Sequence, residues 1–307
     1  MQRALHFIRP LLPVQAPLGA GTRAQPSIGP MKLCRNVLVF FSLVGAALRA
    51  QAAPPLDAWK PLGVGVTYRA FDLDAPDAPD HDRLHVVRIE PAQVEWRVGL
   101  AAESGGPQQT AQAWANGLGV VAAINAGMYQ EDHRRNVGYL RHGKHLNNPS
   151  WKKAYASAFA FGPRKKGLPA ATMVDLDAPG ATEQLANYQT VIQNLRLIKA
   201  PGVGVWKRSG RRWSEAAVAL DDQGRVLFLF SRAPFEMEDL ARKLLALPLG
   251  IVRAMHVEGG PEASLSVHAR QLTLDLSGSY ETGFFMRDDN AGQWKLPNVI
   301  GVRVRAP

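Results

Sequence analysis

The chain has 307 residues, 46% of them hydrophobic, with one Cys, and 36 Lys and Arg against 26 Asp and Glu give a formal charge of +10. An apolar fraction near the globular average excludes wholesale disorder, and a single Cys excludes an internal disulfide framework or a Cys-cluster metal site. The positive charge invites nucleic acid or an acidic membrane as partner, so its location along the chain matters.

Read from Met31, Lys32 and Arg35 form a basic start, residues 37–48 an apolar run, and Ala50-Gln51-Ala52 the small residues of a cleavage site before Ala53. This is the layout of a secretory signal over residues 31–52. The run falls short of the roughly 20 apolar residues that span a bilayer, and no Cys follows it to carry a lipid, so no stable membrane anchor is expected. Residues 1–30 are rich in Pro, Gly and Ala, lack acidic residues and read as a non-structural upstream extension. A start codon misplaced upstream of Met31 is favoured over a transit-type segment, because a well-formed signal begins at a Met. The expected domain is residues 53–307, exported to the periplasm or secreted after cleavage near Ala52-Ala53. Residues 1–52 hold six basic and no acidic residues, which leaves 30 basic against 26 acidic in the remainder, a net of +4. That is an ordinary surface, and no nucleic-acid partner is expected.

In chain order, strand-like composition covers residues 64–71, 84–89, 94–101, 120–124, 154–161, 216–220, 226–231, 251–257, 272–276 and 299–304. Asp221-Asp222-Gln223-Gly224 and His142-Gly143-Lys144 read as hairpin turns. Helical period predicts helices over 110–116 with Thr110 as N-cap, over 182–193 with Glu183 in the first turn, and over 235–247. The last has Met237, Leu240, Ala241, Leu244 and Leu245 as its apolar face. The acidic, Pro-rich stretch 72–82 reads as a surface loop. Strands outnumber helices and come in hairpins, which predicts an α+β fold: one domain with a mostly antiparallel or mixed sheet and a few packed helices.

Two segments could carry chemistry. The strand at 120–124 ends in Asn125-Ala126-Gly127-Met128-Tyr129, which is either a plain strand-to-turn junction or a polar amide held at a sheet edge. The strand at 251–257 runs into Glu258-Gly259-Gly260-Pro261-Glu262, either a tight turn or a loop that presents a carboxylate and backbone N–H groups to a ligand. Strand alternation puts His256 and Glu258 on one side, as a catalytic or a merely satisfied pair. His133, His142 and His145 have no metal-ligand spacing, so no metal site is predicted.

Taken together, these segments resemble the phosphodiester glycosidase family. The resemblance rests on AINAGMY (Ala123 to Tyr129), YQTVIQNLRLI (Tyr188 to Ile198), the strand–turn–strand AVALDDQGRVLFLFS, HVEGGPEASL (His256 to Leu265) and LPNVIGV (Leu296 to Val302). Their order and spacing match over roughly residues 84 to 304. The family pattern reads the 188–198 stretch as a helix running into a turn. Glu258 stands where the family has Asp, and the stretch before the middle hairpin is matched only loosely, by Arg211-Arg212-Trp213-Ser214.

The resemblance implies cleavage of a sugar-1-phosphodiester or a related glycan linkage, through an oxocarbenium-like state that needs a carboxylate near the anomeric carbon and donors on the phosphate. Glu258 is the first candidate for nucleophile or general base, and Glu262 for its partner carboxylate. Asn125, Gly127, Gly259, Gly260, Gln193 and His256 are candidates to bind substrate, with Arg232 as the phosphate ligand. No cofactor is implied, and a structural Ca²⁺ is left open. The expected partner is a glycan or sugar phosphate, and oligomeric state is not readable. The alternative is a non-catalytic glycan-binding or exopolysaccharide-assembly protein on the same fold.

Overall fold

A computed structural model of the protein describes residues 58–73 and 82–305. The expected extension at 1–30, the signal at 31–52 and most of the acidic stretch 72–82 lie outside the described residues. Strands β1 (Lys60–Gly63), β2 (Val66–Asp72), β3 (Arg83–Ile89) and β4 (Val94–Leu100) lead into helices α1 (Ala101–Ser104) and α2 (Ala111–Leu118). Then come β5 (Ala122–Asn125), the hairpin β6 (Leu140–His142) and β7 (His145–Asn148), β8 (Ser157–Pro163) and β9 (Ala171–Asp175). Helix α3 (Ala181–Ala186) precedes the long β10 (Tyr188–Ala200), onto which β11 (Val203–Gly204) folds back. Strands β12 (Trp213–Asp221) and β13 (Val226–Phe235), helix α4 (Met237–Ala246) and β14 (Ile251–Gly259) follow. After a single 3₁₀ turn at Gly260–Glu262 come β15 (Ser264–Ala269), β16 (Leu272–Ser277) and β17 (Asn298–Val304).

The strands form two sheets. The larger runs β1-β2-β3-β13-β12-β14-β10-β6-β7, with β8, β9 and β11 attached at β10, and the smaller runs β16-β15-β5-β17-β4. Every pairing between these strands is antiparallel, as their hairpin spacing predicts. The inner faces meet in one core, with Val87, Phe228, Val218 and Met255 of the large sheet against Ile124, Leu265, Ile300 and Val302 of the small one. Trp96 of β4 reaches across, with its ring centroid 5.3 Å from Phe159, 5.3 Å from Phe161 and 6.2 Å from Phe228. The outer face of the large sheet, with Leu84, Leu227, Ala217 and Ala254, is covered by Met237, Leu240, Ala241 and Leu244 of α4. Those four α4 residues belong to its expected apolar face, and Leu245 packs at its edge.

Local chemistry explains the ends of these elements. Thr110 Oγ1 accepts the Ala113 N–H at 3.1 Å and caps α2. Asp221 Oδ1 accepts the N–H groups of Gln223 and Arg225, which closes the β12–β13 turn at Gly224. The expected helix over 182–193 is a correction: α3 stops at Ala186, and Tyr188 opens a 13-residue strand. Asn187 ends the helix, and the residues after it (Tyr188, Thr190, Val191, Ile192) are β-formers that pair with β8 on one side and β6 on the other. Helices are fewer and shorter than an α+β label suggests, so the described domain is mainly antiparallel β. Among the described residues no helix is long and apolar enough to cross a membrane.

The inter-sheet core makes a direct prediction. Phe228→Ala, at a fully buried position in mid-β13, should cost about 3–5 kcal/mol of unfolding free energy in a denaturant titration.

Candidate active site

The site lies where β14 leaves the large sheet and β15 enters the small one. Along β12, Ala217 pairs with His256 while the adjacent Ala216 pairs with Glu258, so Val257 is an extra, bulged residue. Ala216 belongs to the inter-sheet core and Ala217 to the outer one. The bulge therefore turns Glu258 inward, between the sheets, and leaves His256 facing outward. The expectation that the two share a side is overturned, because alternation holds only for a strand without an inserted residue.

Outside, His256 Nδ1 lies 2.8 Å from both oxygens of Glu215, whose Oε2 also accepts the indole N–H of Trp213 at 2.9 Å. Burial raises the Glu215 pKa, and the His256 ring offsets part of that rise. This pair sits beneath Trp206 and Trp213 and stiffens the strand behind Glu258.

Inside, Glu258 is 4% exposed. Its Oε1 accepts the Gly259 N–H at 3.2 Å, and its buried Oε2 has no hydrogen-bond donor among the described residues. Burial, and after it the negative charge of Glu262, holds the Glu258 carboxyl well above the ordinary carboxylate range. Glu262, in the 3₁₀ turn, is raised by burial while the Tyr129 hydroxyl donates to its Oε1 at 2.6 Å. A third carboxyl, Glu281, is also raised, by burial and then by Glu262. Burial and the Glu258 charge push the Tyr155 hydroxyl up to about 12, and burial with the Glu262 charge raises that of Tyr129.

The glycines of this loop are there for space. A Cβ on Gly259 would stand 2.7 Å from the Trp213 ring, and one on Gly260, at φ +64°, would stand 2.6 Å from Glu281 Oε2. The Gly259 N–H is spent on Glu258 itself. Asn125, at the end of β5, donates to the Glu262 carbonyl at 3.0 Å and accepts the Ser264 N–H at 2.7 Å, which pins the turn to the small sheet. A Cβ on Gly127 would stand 2.6 Å from the amide oxygens of both Asn136 and Asn194.

Asn194 comes two residues after the inward-facing Ile192 and one before Leu195, which pairs with His256. It is therefore inward and beside the bulge. Its Nδ2 donates to the Ala126 carbonyl at 2.8 Å, and its buried Oδ1 has no donor among the described residues. Asn194, Glu281, Tyr155 and Glu215 were not singled out from sequence. A charged residue inside the otherwise apolar run of β12 was a signal for Glu215, whereas nothing local marks Glu281.

Two expected ligand contacts are committed elsewhere. Arg232 donates to the carbonyls of Ser277 at 2.8 Å and Asn290 at 3.0 Å and pairs with Asp288 at 2.8 Å, and so holds the 278–290 segment against the Gly260 loop. Gln193, expected at a helix end, is buried in β10 with its amide filled by backbone groups of Tyr139, Lys152 and Tyr155. Among the described residues no three His, Cys, Asp or Glu side chains converge as metal ligands.

The described domain is thus a two-sheet antiparallel fold with buried carboxyls where β14 crosses to β15. Residues 118–303 match the phosphodiester glycosidase family, and the chain belongs to it. Two solved structures share the fold. One is a hypothetical protein from Synechocystis, at 15% identity and TM-score 0.53, over 79% of this chain and 62% of that one. The other is the zebrafish N-acetylglucosamine-1-phosphodiester α-N-acetylglucosaminidase catalytic domain auto-inhibited by its pro-peptide, at 13% identity and TM-score 0.53, over 80% of this chain and 85% of that one. The chain thus spans under two thirds of the Synechocystis protein. No protein with a curated description matches significantly.

The raised Glu258 carboxyl makes stability depend on pH. Its folded pKa lies above the ordinary 4.5, so the folded state keeps a proton that the unfolded chain releases. The stability this group contributes is complete below about pH 4.5 and is lost as pH rises through the folded pKa. Glu258→Gln should therefore melt higher than the parent at pH 7–8 and level with it near pH 4. Parallel melting curves across that range would show that Glu258 titrates alike in the folded and unfolded states, against the raised pKa. Gly127→Ala should cost on the order of 1–3 kcal/mol through the crowded asparagine pair, read by denaturant unfolding.

Proposed function

We propose that the protein is an exported hydrolase that cleaves a glycosidic bond to phosphate, with a glycan or sugar phosphate as substrate. The observation that carries this reading is the inward, buried Glu258 carboxyl, whose pKa burial and the neighbouring Glu262 raise, with Glu258 Oε2 and Asn194 Oδ1 both buried and lacking a donor among the described residues. Two buried oxygens without donors suit a ligand that brings O–H groups, as a sugar does. Membership of the family and the name borne by the zebrafish relative support a sugar-1-phosphodiester. The signal-like segment at 31–52 supports export.

In this reading water attacks the anomeric carbon as the bond from that carbon to the phosphate oxygen breaks, and the phosphomonoester leaves with the bonding pair. Glu262, as the carboxylate steadied by Tyr129, takes the water proton, and Glu258 gives its proton to the departing oxygen. A stable phosphate anion asks less of the acid than an alkoxide would, so electrostatic stabilisation matters as much. Arg211, 3.9 Å from Glu281 and partly exposed, is available to the phosphate in place of the committed Arg232.

A panel of sugar-1-phosphodiesters and aryl glycosides tests the reading. Turnover is expected on a phosphodiester, and Glu258→Gln should lower kcat by about 10²-fold or more while ligand binding persists. Retention of polysaccharide with no turnover by the parent protein would instead favour the glycan-binding alternative. The longer Glu258 in place of the family's Asp motivates that second outcome.

A further inference from the structure

Glu258 and Glu262 are both buried and both raised by it, so a further influence has to separate an acid from a base. Glu258 has no cation among the groups that shift it. Glu262 has two influences that oppose burial: the Tyr129 hydroxyl, which donates to its Oε1 at 2.6 Å, and the charge of His133. Among the described residues His133 is the histidine that the site as drawn so far does not use, although it stands within reach of this carboxyl.

His133 belongs to the turn that follows Tyr129. Tyr129 and Asn136 bridge as antiparallel partners, the Gln130 N–H donates to the Arg135 carbonyl at 2.8 Å, and the His133 N–H donates to the Gln130 carbonyl at 2.8 Å. Asp132 Oδ1 accepts the N–H groups of Arg134 and Arg135 and fixes the turn. Within it His133 has φ +54°, the single non-glycine residue in the left-handed region among the described residues. That conformation costs a residue with a Cβ about 1–2 kcal/mol, and a turn with no other duty would carry Gly or Asn there. What the imidazole gains is contact with the Tyr129 ring, at a centroid distance of 5.4 Å and an interplanar angle of 44°. The groups that face Glu262 are Tyr129, His133, Glu258 and Glu281. On its own turn His133 has Glu131, Asp132, Arg134 and Arg135 as chain neighbours, of which Asp132 and Arg135 pair with each other. His133 thus supplies positive charge on the Glu262 side of the cluster, as Arg211 does beside Glu281 at 3.9 Å.

We propose that His133 is a positioning residue for Glu262: its ring braces Tyr129, whose hydroxyl orients the carboxylate, and its charge sets Glu262 apart from Glu258 as the base. This rests on the proposed cleavage, in which Glu262 takes the water proton, and adds what makes that carboxyl the base rather than its neighbour. It also accounts for a histidine in a backbone conformation that favours glycine.

Two readouts test this on the full chain: titration of the Glu262 carboxyl by carbon-13 NMR without substrate, and kcat/KM against pH on a sugar-1-phosphodiester. His133→Asn puts in a residue that tolerates the left-handed turn and removes both ring and charge. The Glu262 midpoint should rise by about half a pH unit or more, because a neighbouring cation favours the charged form. The acid limb of kcat/KM should move to higher pH with it, so that turnover falls about threefold or more on that limb and recovers above it. His133→Lys, which returns a cation, should bring the midpoint back toward that of the parent. A purely structural role would lower the rate evenly across pH and leave the midpoint in place, and that result would overturn the proposal. A moved midpoint with an unmoved acid limb would remove Glu262 as the base, and with it this role of His133. If the parent protein turns over no phosphodiester, the cleavage reading fails, and the Glu262 midpoint alone decides whether His133 sets that carboxyl apart.

Discussion

A carboxyl group buried between two sheets has to be kept neutral or be paired, because desolvating its charge costs several kcal/mol even after the protein relaxes. Glu258 is in that position, with no cation among the groups that shift it and with Glu262, Glu281 and Glu215 all adding negative charge. Its place is set by a single inserted residue, Val257, which turns the next side chain from the outer face to the inner one. Without the bulge, Glu258 would stand with His256 on the α4 side of the sheet, and the carboxyl cluster would not assemble.

The surrounding polar side chains serve the backbone more than any ligand. Asn125 pins the 3₁₀ turn to β5, Arg232 straps the 278–290 segment over the glycine loop, and Gln193 shapes the segment that carries Tyr155 and Trp151. Each is buried or partly buried and offers several hydrogen-bonding atoms, which irregular backbone needs when no strand partner is present. Of the buried polar atoms with unfilled capacity among the described residues, Glu258 Oε2 and Asn194 Oδ1 lie on the same inward side of adjacent strands. Together with the raised carboxyls, that shared side marks the candidate site.

The division of labour also bears on how the fold tolerates divergence. Relatives at 13–15% identity keep the two-sheet architecture, because an antiparallel sandwich asks only for apolar residues on its inner faces. The site asks for more, since Gly259, Gly260 and Gly127 have no room for a Cβ and the carboxyls depend on where neighbouring turns place them.

Much of the sheet structure was legible from residue order. Alternating apolar runs marked most strands, Asp221 to Gly224 and His142 to Lys144 marked hairpins, and Thr110 marked a helix start, because these signals are local. Glu258 and Glu262 stood out as carboxylates beside glycines at the end of an apolar strand, and the five family motifs in order pointed to the family. The helix expected at 182–193 failed because pairing with β6 and β8 outweighs local period. The facing of Glu258 away from His256, and the partners of Arg232 and Gln193, were decided only in three dimensions. A one-residue bulge is invisible to alternation. Asn194, Glu281 and Tyr155 lie at least 23 residues from Glu258 in the chain and are brought toward it by the β10–β14 pairing and by the segments that follow β16 and β7.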